Sequence, residues 1–282
     1  MASVNTKLLL GWMEEKEAMH WLLKECKREQ PFTEDAAKRL WNDYRDKVAA
    51  LSARTGSPPR ILEDRTQKEE YAERHFMQRY SKEQGIVRVV KLDDPGKLII
   101  HQLTVVIPQS EGYLSSMRDP KERIRIALGR GMAYEGKHPK ARKEGTLLIK
   151  PVPHAEFFIV SGDQEDFEVK EARRHIAIKE FDGKLMLSAG YHRSHMSMYR
   201  SSPEDTVLPL FAVLESDVVD GFFSVGSKVP FKRDMVRGSC PPLLSDFFDN
   251  SLCIELPMRK CAIEMVVDLA TRQCGPRWVD AQ

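Results

Sequence analysis

The stretch GKLMLSAGYHRSHMSMYR, residues 183–200, decides how the fold of this chain is interpreted. Its apolar first part predicts a buried strand over 183–189, and Gly190 permits a sharp turn and a close approach of a ligand to the backbone. A row of polar side chains follows the glycine. We expect a helix to begin at His192 or Arg193, so the stretch predicts a strand, a glycine turn and a helix N-terminus.

The residues of this turn indicate recognition of an anion. A helix start offers backbone N–H groups and the positive end of the helix dipole, which together favour phosphate. Arg193 adds a planar fork for phosphate oxygens, Ser194 a hydroxyl, and His192 a donor that could also move a proton. We therefore predict a phosphate cradle formed by Gly190, Tyr191, His192, Arg193 and Ser194. In this interpretation Arg193→Ala weakens ligand binding with little loss of folding stability.

Two other interpretations of the turn stay open. In the first, the turn is structural, and its arginine and histidine cap carbonyls or pair with acids. In the second, the turn is part of a metal site. His154 and Glu156 have the HxE spacing of a metal-binding triad, and His192 or His195 could complete a set that suits iron, manganese or zinc. The segments that carry these residues resemble the two halves of a cupin, although a cupin usually has two histidines before the glutamate.

Short β-rich runs dominate the chain after Gly85. Since the helices there do not alternate regularly with strands, the pattern favours an α+β fold with a mixed sheet over a doubly wound parallel sheet. Asp119 and Pro120 begin one interrupting helix, and residues 241–249 predict another short one. The run 260–270 could be a strand or a helix. The predicted strands are 86–92, 97–107, 146–152, 155–160, 175–181, 183–189 and 206–216.

The residues before this region predict helices. Apolar residues recur at helical spacing from Leu8 to Cys26, and Thr33 is the expected N-cap of a second helix. A third helix is expected over 66–82, with Tyr71, His75, Phe76 and Tyr80 facing inward. We therefore predict a helical segment at 1–84, an α+β domain at 85–225 and a C-terminal extension at 226–282 that packs on the domain.

Composition excludes several classes of protein. The net charge of +2 does not by itself indicate a nucleic-acid-binding protein, and no stretch approaches the roughly 20 apolar residues that span a bilayer. The N-terminus lacks the apolar core and cleavage site of a signal peptide. The five cysteines form no CxxC pair, which is typical of free thiols in a reducing compartment. We expect a cytoplasmic, bacterial protein without a membrane partner.

Gly190-Tyr191-His192-Arg193 resembles the G-x-H-R motif of the ParB/sulfiredoxin superfamily. The following run TVLPLFAVLES, 206–216, is similar to the strand that closes the motif unit in that family, so the resemblance spans about 155–216. It implies a ParB/sulfiredoxin-like domain in which the motif holds nucleotide phosphates. Some relatives are nucleotide hydrolases or small-molecule kinases.

The chain departs from both branches of this superfamily. Tyr191 occupies the position of the catalytic cysteine of sulfiredoxin, so we expect no sulfinic-acid reduction by that route, although Cys240 could fold back beside the motif. No helix-turn-helix follows residue 220, as it would in a ParB protein. The resemblance therefore implies a site for ATP or another NTP with Mg²⁺, and His192 and Arg193 would stabilise the transferring phosphoryl group.

Whether the chain is an enzyme is not decided by these residues. The leading hypothesis is NTP-dependent phosphoryl transfer or hydrolysis, with the nucleotide and a small-molecule or protein substrate as partners. The first alternative is a nucleotide-gated DNA-binding or scaffolding module, and the second is the cupin-like metal enzyme. A carboxylate near the motif could hold Mg²⁺ or act as a base, and a basic loop could fold over a polyphosphate. These carboxylates are Glu156, Asp163, Glu180 and Asp182, and the basic residues are Lys137, Lys140, Arg142 and Lys143.

Overall fold

The computed structural model of the chain describes residues 3–54, 58–80, 87–107, 120–128, 146–149, 158–162, 167–171, 175–181, 183–198, 209–215, 233–259, 261–268 and 274–280. Helices and mixed sheets both occur in these ranges, so the predicted α+β class is confirmed. No helix among the described residues is both long enough and apolar enough to cross a membrane.

The helices are mostly short. They are α1 (Glu15–His20), which continues as a π-helical turn over Trp21–Glu25, α2 (Glu34–Ala49), α3 (Gln67–Tyr80), α4 (Pro120–Ala127), α5 (Tyr191–Ser197) and α6 (Arg233–Arg237). Single turns of 3₁₀ helix occupy Leu10–Trp12, Pro95–Lys97 and Leu244–Phe248.

Helix α2 forms as its sequence predicts. The Thr33 side chain accepts a hydrogen bond from the Ala36 N–H at 3.2 Å, and two acids follow in the first turn, where the helix dipole favours them. Trp41 and Tyr44 are buried on one face of the helix. The predicted N-cap and the predicted apolar face are both confirmed.

The strands, numbered along the chain, form four sheets. They are β1 (Ser3–Leu8), β2 (Ile61–Leu62), β3 (Val87–Leu92), β4 (Thr104–Val106), β5 (Thr146–Ile149), β6 (Phe158–Gly162), β7 (Phe167–Glu171), β8 (Ala177–Phe181), β9 (Lys184–Ala189), β10 (Leu210–Glu215), β11 (Ile254–Arg259), β12 (Cys261–Asp268) and β13 (Cys274–Asp280). The five-stranded sheet has the order β2-β3-β10-β8-β9. In this sheet β10 runs parallel to β8, and the other neighbours are antiparallel. The remaining sheets have the orders β11-β1-β4, β13-β12-β5 and β6-β7.

The five-stranded sheet leads directly to the predicted turn. Strands β8 and β9 form a hairpin, and α5 follows β9 before the chain returns as β10 beside β8. Alternate apolar residues of these strands, such as Ile178, Leu187 and Val213, are fully buried in one core cluster. Because the core fixes the end of β9, it also fixes where the turn begins.

The prediction of a helix from Leu8 onward is wrong at its start, because residues 3–8 form β1. This strand pairs with β11 on one side and β4 on the other, with Leu8 opposite Ile254 and Thr104. Thr6 and Leu8 are buried and Asn5 is exposed, which is the period of two of a strand. Strands β1, β4 and β11 belong to the predicted units 1–84, 85–225 and 226–282, so this sheet contains a strand from each of the three. The limits of those units stay a prediction.

Other local predictions differ from the structure in detail. The predicted strand 97–107 is reduced to β4 and single bridges from Ile99 to Met186 and to Leu243. Tyr71 was expected to face inward, but it is 65% exposed. Within the run 260–270, the residues Cys261–Asp268 form strand β12, and 241–249 contains a 3₁₀ helix. Strands β7, β11 and β13 were not predicted.

Candidate functional site

The predicted strand, glycine turn and helix are confirmed. Strand β9 ends at Ala189, Gly190 has φ of +86° and ψ of +31°, and α5 begins at Tyr191, one residue earlier than expected. Glycine adopts this left-handed conformation at little cost because it has no side chain. In any other residue the Cβ atom would collide with the backbone. The Ser194 N–H donates to the Gly190 carbonyl at 2.9 Å and closes the first helical turn.

The space beside Gly190 is occupied by the core. A Cβ atom at this position would lie 2.8 Å from Cγ1 and 3.1 Å from Cα of Ile176, and 3.3 Å from Nη2 of Arg193. Because Gly190 has no side chain, Ile176 and Arg193 can both pack closely against it, in addition to the turn that it permits. Any ligand at this turn must contact its other side, where the N–H groups of the first turn of α5 begin.

Arg193 is enclosed by the protein. Its side chain is 0% exposed, and Nη1 donates to the Ile126 carbonyl in the last turn of α4 at 2.8 Å. The negative end of a helix dipole favours a cation there. The next carbonyl of α4, that of Ala127, accepts from the Ile176 N–H at 2.6 Å. This is the carbonyl-capping contact of the structural interpretation, and it places the guanidinium behind the turn, away from solvent.

Tyr191 locks the turn to a neighbouring segment. Its hydroxyl donates to the Leu187 carbonyl at 2.6 Å and accepts from the His101 N–H at 3.4 Å. The His101 ring packs edge-on, with 5.4 Å between ring centroids. Burial raises the pKa of the Tyr191 phenol above its usual value, so the hydroxyl stays neutral and the residue fixes the geometry of the turn.

His192 and Ser194 differ in accessibility. His192 is half-exposed, whereas every other residue of α5 is buried. The Ser194 hydroxyl oxygen is buried and makes no hydrogen bond with the described residues. Of the predicted cradle, His192 is therefore the side chain that a ligand can reach from solvent, and the other side chains lie behind it.

His195 was proposed only as an alternative metal ligand, and the structure places it in an aromatic slot. Its ring stacks on Phe248 with 4.5 Å between centroids and packs edge-on against Phe247 at 5.9 Å. Among the described residues, neither ring nitrogen has a hydrogen-bond partner. Burial, and to a smaller extent the charges of Lys7 and His192, lower the pKa of His195 to about 3.

Lys7 was missed by the sequence analysis. Its Nζ donates to the Phe247 carbonyl at 2.8 Å and lies 4.5 Å from the centroid of the Phe248 ring. One sequence signal could have identified it, the alternation of Thr6, Lys7 and Leu8. That alternation is too short to be separated from the helical pattern that follows it.

The metal alternative and the minor candidates are mostly outside the described residues. That holds for His154, Glu156, Asp163 and Asp182, and for the basic residues between 137 and 143. Within the described part of the chain, no three His, Cys, Asp or Glu side chains come together as a metal site would require. Glu180 is exposed on β8, and the Gln102 amide donates to the Thr104 carbonyl at 3.0 Å.

The described cysteines are free thiols, as the sequence predicts. Cys26, Cys240 and Cys253 form no disulfide. The Cys240 thiol contacts the Leu51 and Ser52 carbonyls at 3.5 and 3.3 Å. These contacts place Cys240 beside the residues that follow α2, and the expectation that this chain is not a sulfinic-acid reductase stays a prediction.

No family model, curated protein or solved structure matches this chain. The resemblance to the ParB/sulfiredoxin superfamily therefore depends on the four motif residues and the strand that follows them. The structure places these four residues between strand β9 and the short helix α5, and the resemblance itself stays a prediction.

Proposed function

We propose that the chain binds the phosphates of ATP or another nucleoside triphosphate, with Mg²⁺, at the turn Gly190–Ser194. The observation that carries this proposal is the left-handed Gly190, which delivers the chain from β9 into a helix start with a guanidinium enclosed behind it. The N–H groups of the first turn of α5, the positive end of its helix dipole and the permanent charge of Arg193 would all attract a bound anion. The reaction class that fits is phosphoryl transfer or NTP hydrolysis.

The side chains of the turn would have different roles in binding the nucleotide. His192 is half-exposed and could touch a phosphoryl oxygen, donate a hydrogen bond to it and stabilise developing charge. Arg193 would act as a positioning residue, because its contact with the Ile126 carbonyl holds the helix start and its charge lies beneath the turn. Tyr191 would fix the end of β9. Mg²⁺, where bound, would neutralise phosphate charge.

Nucleotide binding is tested by titrating ATP, CTP and GTP into the purified chain, with and without Mg²⁺, in a calorimeter and in a thermal unfolding assay. One of them should bind and raise the melting temperature, since a ligand of the native state stabilises it. His192→Ala should weaken that binding by about 1.5–3 kcal/mol, the range of a charge-assisted hydrogen bond. His20→Ala, at the exposed end of α1, is the control and should bind like the parent. If none of the three nucleotides binds, the proposal is wrong.

The same preparation separates an enzyme from the two alternatives. Release of labelled phosphate in the presence of Mg²⁺ would identify a hydrolase or kinase. Nucleotide binding without turnover, together with duplex DNA affinity that falls steeply with salt, would identify the DNA-binding or scaffolding module. Stoichiometric iron, manganese or zinc in the purified protein, lost in His154→Ala, would favour the cupin-like alternative.

A further inference from the structure

We propose that Lys7, from the opposite end of the sequence, is a second phosphate-binding residue of this site and contacts the outermost phosphate of a nucleoside triphosphate. The inference deepens the proposed function and rests on it. It comes from the juxtaposition of Lys7, His192, His195 and Phe248, which the sequence analysis did not connect.

The 3₁₀ helix Leu244–Phe248 brings these groups together. The Lys7 ammonium and the His195 ring each lie 4.5 Å from the centroid of the Phe248 ring, and Lys7 also donates to the Phe247 carbonyl. One of three ammonium donors is thereby used by the backbone. Lys7 is held in place beside α5 by strand β1 and by this carbonyl, which reduces the entropy lost when it binds a ligand.

Lys7 and Phe248 are half-exposed, as is His192, whereas His195 is buried behind them. Lys7 and His192 are therefore the two nitrogen-bearing side chains of this group that are partly accessible to a ligand. The lysine and both imidazoles are near enough for Lys7 and His192 to oppose protonation of His195. This surface gathers nitrogen donors, and an anion is the ligand that such a surface favours.

The two His195 nitrogens add a second, independent observation. A buried imidazole without a hydrogen-bond partner is unusual, and such groups are common where a ligand or an ordered water completes the network. The ring is held between two aromatic side chains, so its orientation is fixed before a ligand arrives.

In the described part of the chain, the carboxylates of Asp246 and Glu255 bind groups other than Lys7. Asp246, on the same 3₁₀ helix, is bound by Arg54 Nη1 at 2.6 and 2.8 Å and accepts from the Leu243 N–H. Glu255 lies opposite Lys7 in the β1–β11 register, and its carboxylate accepts from the Asn5 side chain at 2.8 Å. The positive charge of Lys7 thus remains available to a phosphate.

Calorimetric titrations of ATP and of AMP into Lys7→Gln test this assignment. We expect ATP affinity to fall about 10- to 100-fold, as for loss of a charge-assisted hydrogen bond, and AMP affinity to change less than about 3-fold. Lys7→Arg keeps the charge and should stay within about 5-fold of the parent for ATP. Lys47→Gln is the matched control, because the Lys47 ammonium also lies over an aromatic ring, that of Tyr44 at 4.3 Å, but on α2. This control should bind both nucleotides like the parent.

Three results would overturn the assignment. An unchanged ATP affinity in Lys7→Gln, with the parent binding normally, would remove Lys7 from the site and leave the proposed function intact. An equal loss of affinity for AMP and ATP in Lys7→Gln would show that the lysine does not contact the outermost phosphate. A Lys7→Arg variant that is folded by circular dichroism yet binds ATP as weakly as Lys7→Gln would exclude a role for the charge. Absence of nucleotide binding by the parent would instead overturn the proposed function, and this inference with it.

Discussion

Helices α2 and α5 use polar residues in opposite ways. On the 16-residue α2, the charged side chains face solvent and the apolar ones face the core. On the seven-residue α5, an arginine, a histidine and two serines are buried together with Tyr191 and Met196. Both helices carry an arginine and an aromatic residue, so composition alone does not distinguish them.

The two helices therefore differ in how completely their buried polar atoms are hydrogen-bonded. Turning polar groups inward is unfavourable unless each finds a partner, and Ser194 and His195 leave polar atoms without one among the described residues. Such a helix is a poor choice for building a core. It is a reasonable choice for a site, where the unused donors are available to a ligand. The substitutions below test this contrast, from the largest expected effect to the smallest.

The largest difference is expected between alanine substitutions of Arg193 on α5 and Arg45 on α2, measured as loss of unfolding free energy. Arg193→Ala removes a fully enclosed side chain and the donor to the Ile126 carbonyl, so we expect unfolding free energy to fall by roughly 3–5 kcal/mol. Arg45→Ala on α2 removes an exposed guanidinium that lies over Trp41, and should cost only about 0.5 kcal/mol. Urea denaturation measures both. Equal losses would erase the contrast between the helices; a stable Arg193→Ala would agree with the expectation from sequence that this substitution costs little folding stability.

Two glycines with positive φ offer the next test. Gly190→Ala combines a left-handed alanine with a collision with Ile176, and should destabilise the fold by roughly 2–4 kcal/mol. Gly183→Ala, in the β8–β9 turn, has φ of +73° but meets no atom within 4 Å, so about 1 kcal/mol is expected. The midpoint of denaturation compares them. If Gly183→Ala were the more damaging, close packing at the turn would not explain Gly190.

The buried histidines should make the protein acid-sensitive. Burial lowers the pKa of His195 to about 3 and that of His101 to about 4, against 6.5 in the unfolded chain. The unfolded state therefore takes up protons first, and stability is lost as pH falls from about 6.5 toward 4. Each histidine should contribute roughly 2 kcal/mol of this loss between pH 6.5 and 4.5.

His195→Phe isolates one of these contributions, because phenylalanine does not titrate and can stack on Phe248. Its unfolding free energy should fall by about 2 kcal/mol less than that of the parent over the same pH range. The pKa of Asp246 is raised by burial, which acts in the opposite direction but is common to both proteins. His20→Gln is the control for an exposed histidine. Parallel pH profiles for the parent and His195→Phe would contradict the prediction.

The smallest effect belongs to the start of α2. Thr33→Ala removes the side-chain oxygen that accepts from the Ala36 N–H and should cost about 1 kcal/mol. Thr33→Ser keeps the acceptor and should stay within a few tenths of a kcal/mol of the parent. Thermal unfolding resolves the pair. If Thr33→Ala did not lower the melting temperature, α2 would be stabilised by the packing of Trp41 and Tyr44 without a contribution from the cap.

What could be predicted from the sequence depended on the distance between partners. The cap at Thr33 and the turn at Gly190 are local, because the residues that form them lie within four positions of one another. The environment of Arg193 stayed open between a phosphate contact and a carbonyl cap, because its acceptor, the Ile126 carbonyl, lies 67 positions earlier. Lys7 was missed for the same reason, since its contact at Phe247 is 240 positions away. The sequence therefore located the turn, and only the tertiary structure could identify which of its side chains face solvent.

The central place of β1 has a consequence for synthesis. This strand lies between β4 and β11, and its cross-strand contact from Asn5 to Glu255 spans 250 positions. At translation rates of about 5–20 residues per second, one edge of β1 waits roughly 12–50 s for its partner to be made. An unpaired strand edge is a template for wrong pairing. The nascent chain should consequently depend on chaperones that cover such edges, and the β1–β11 pairing should be among the last events of folding.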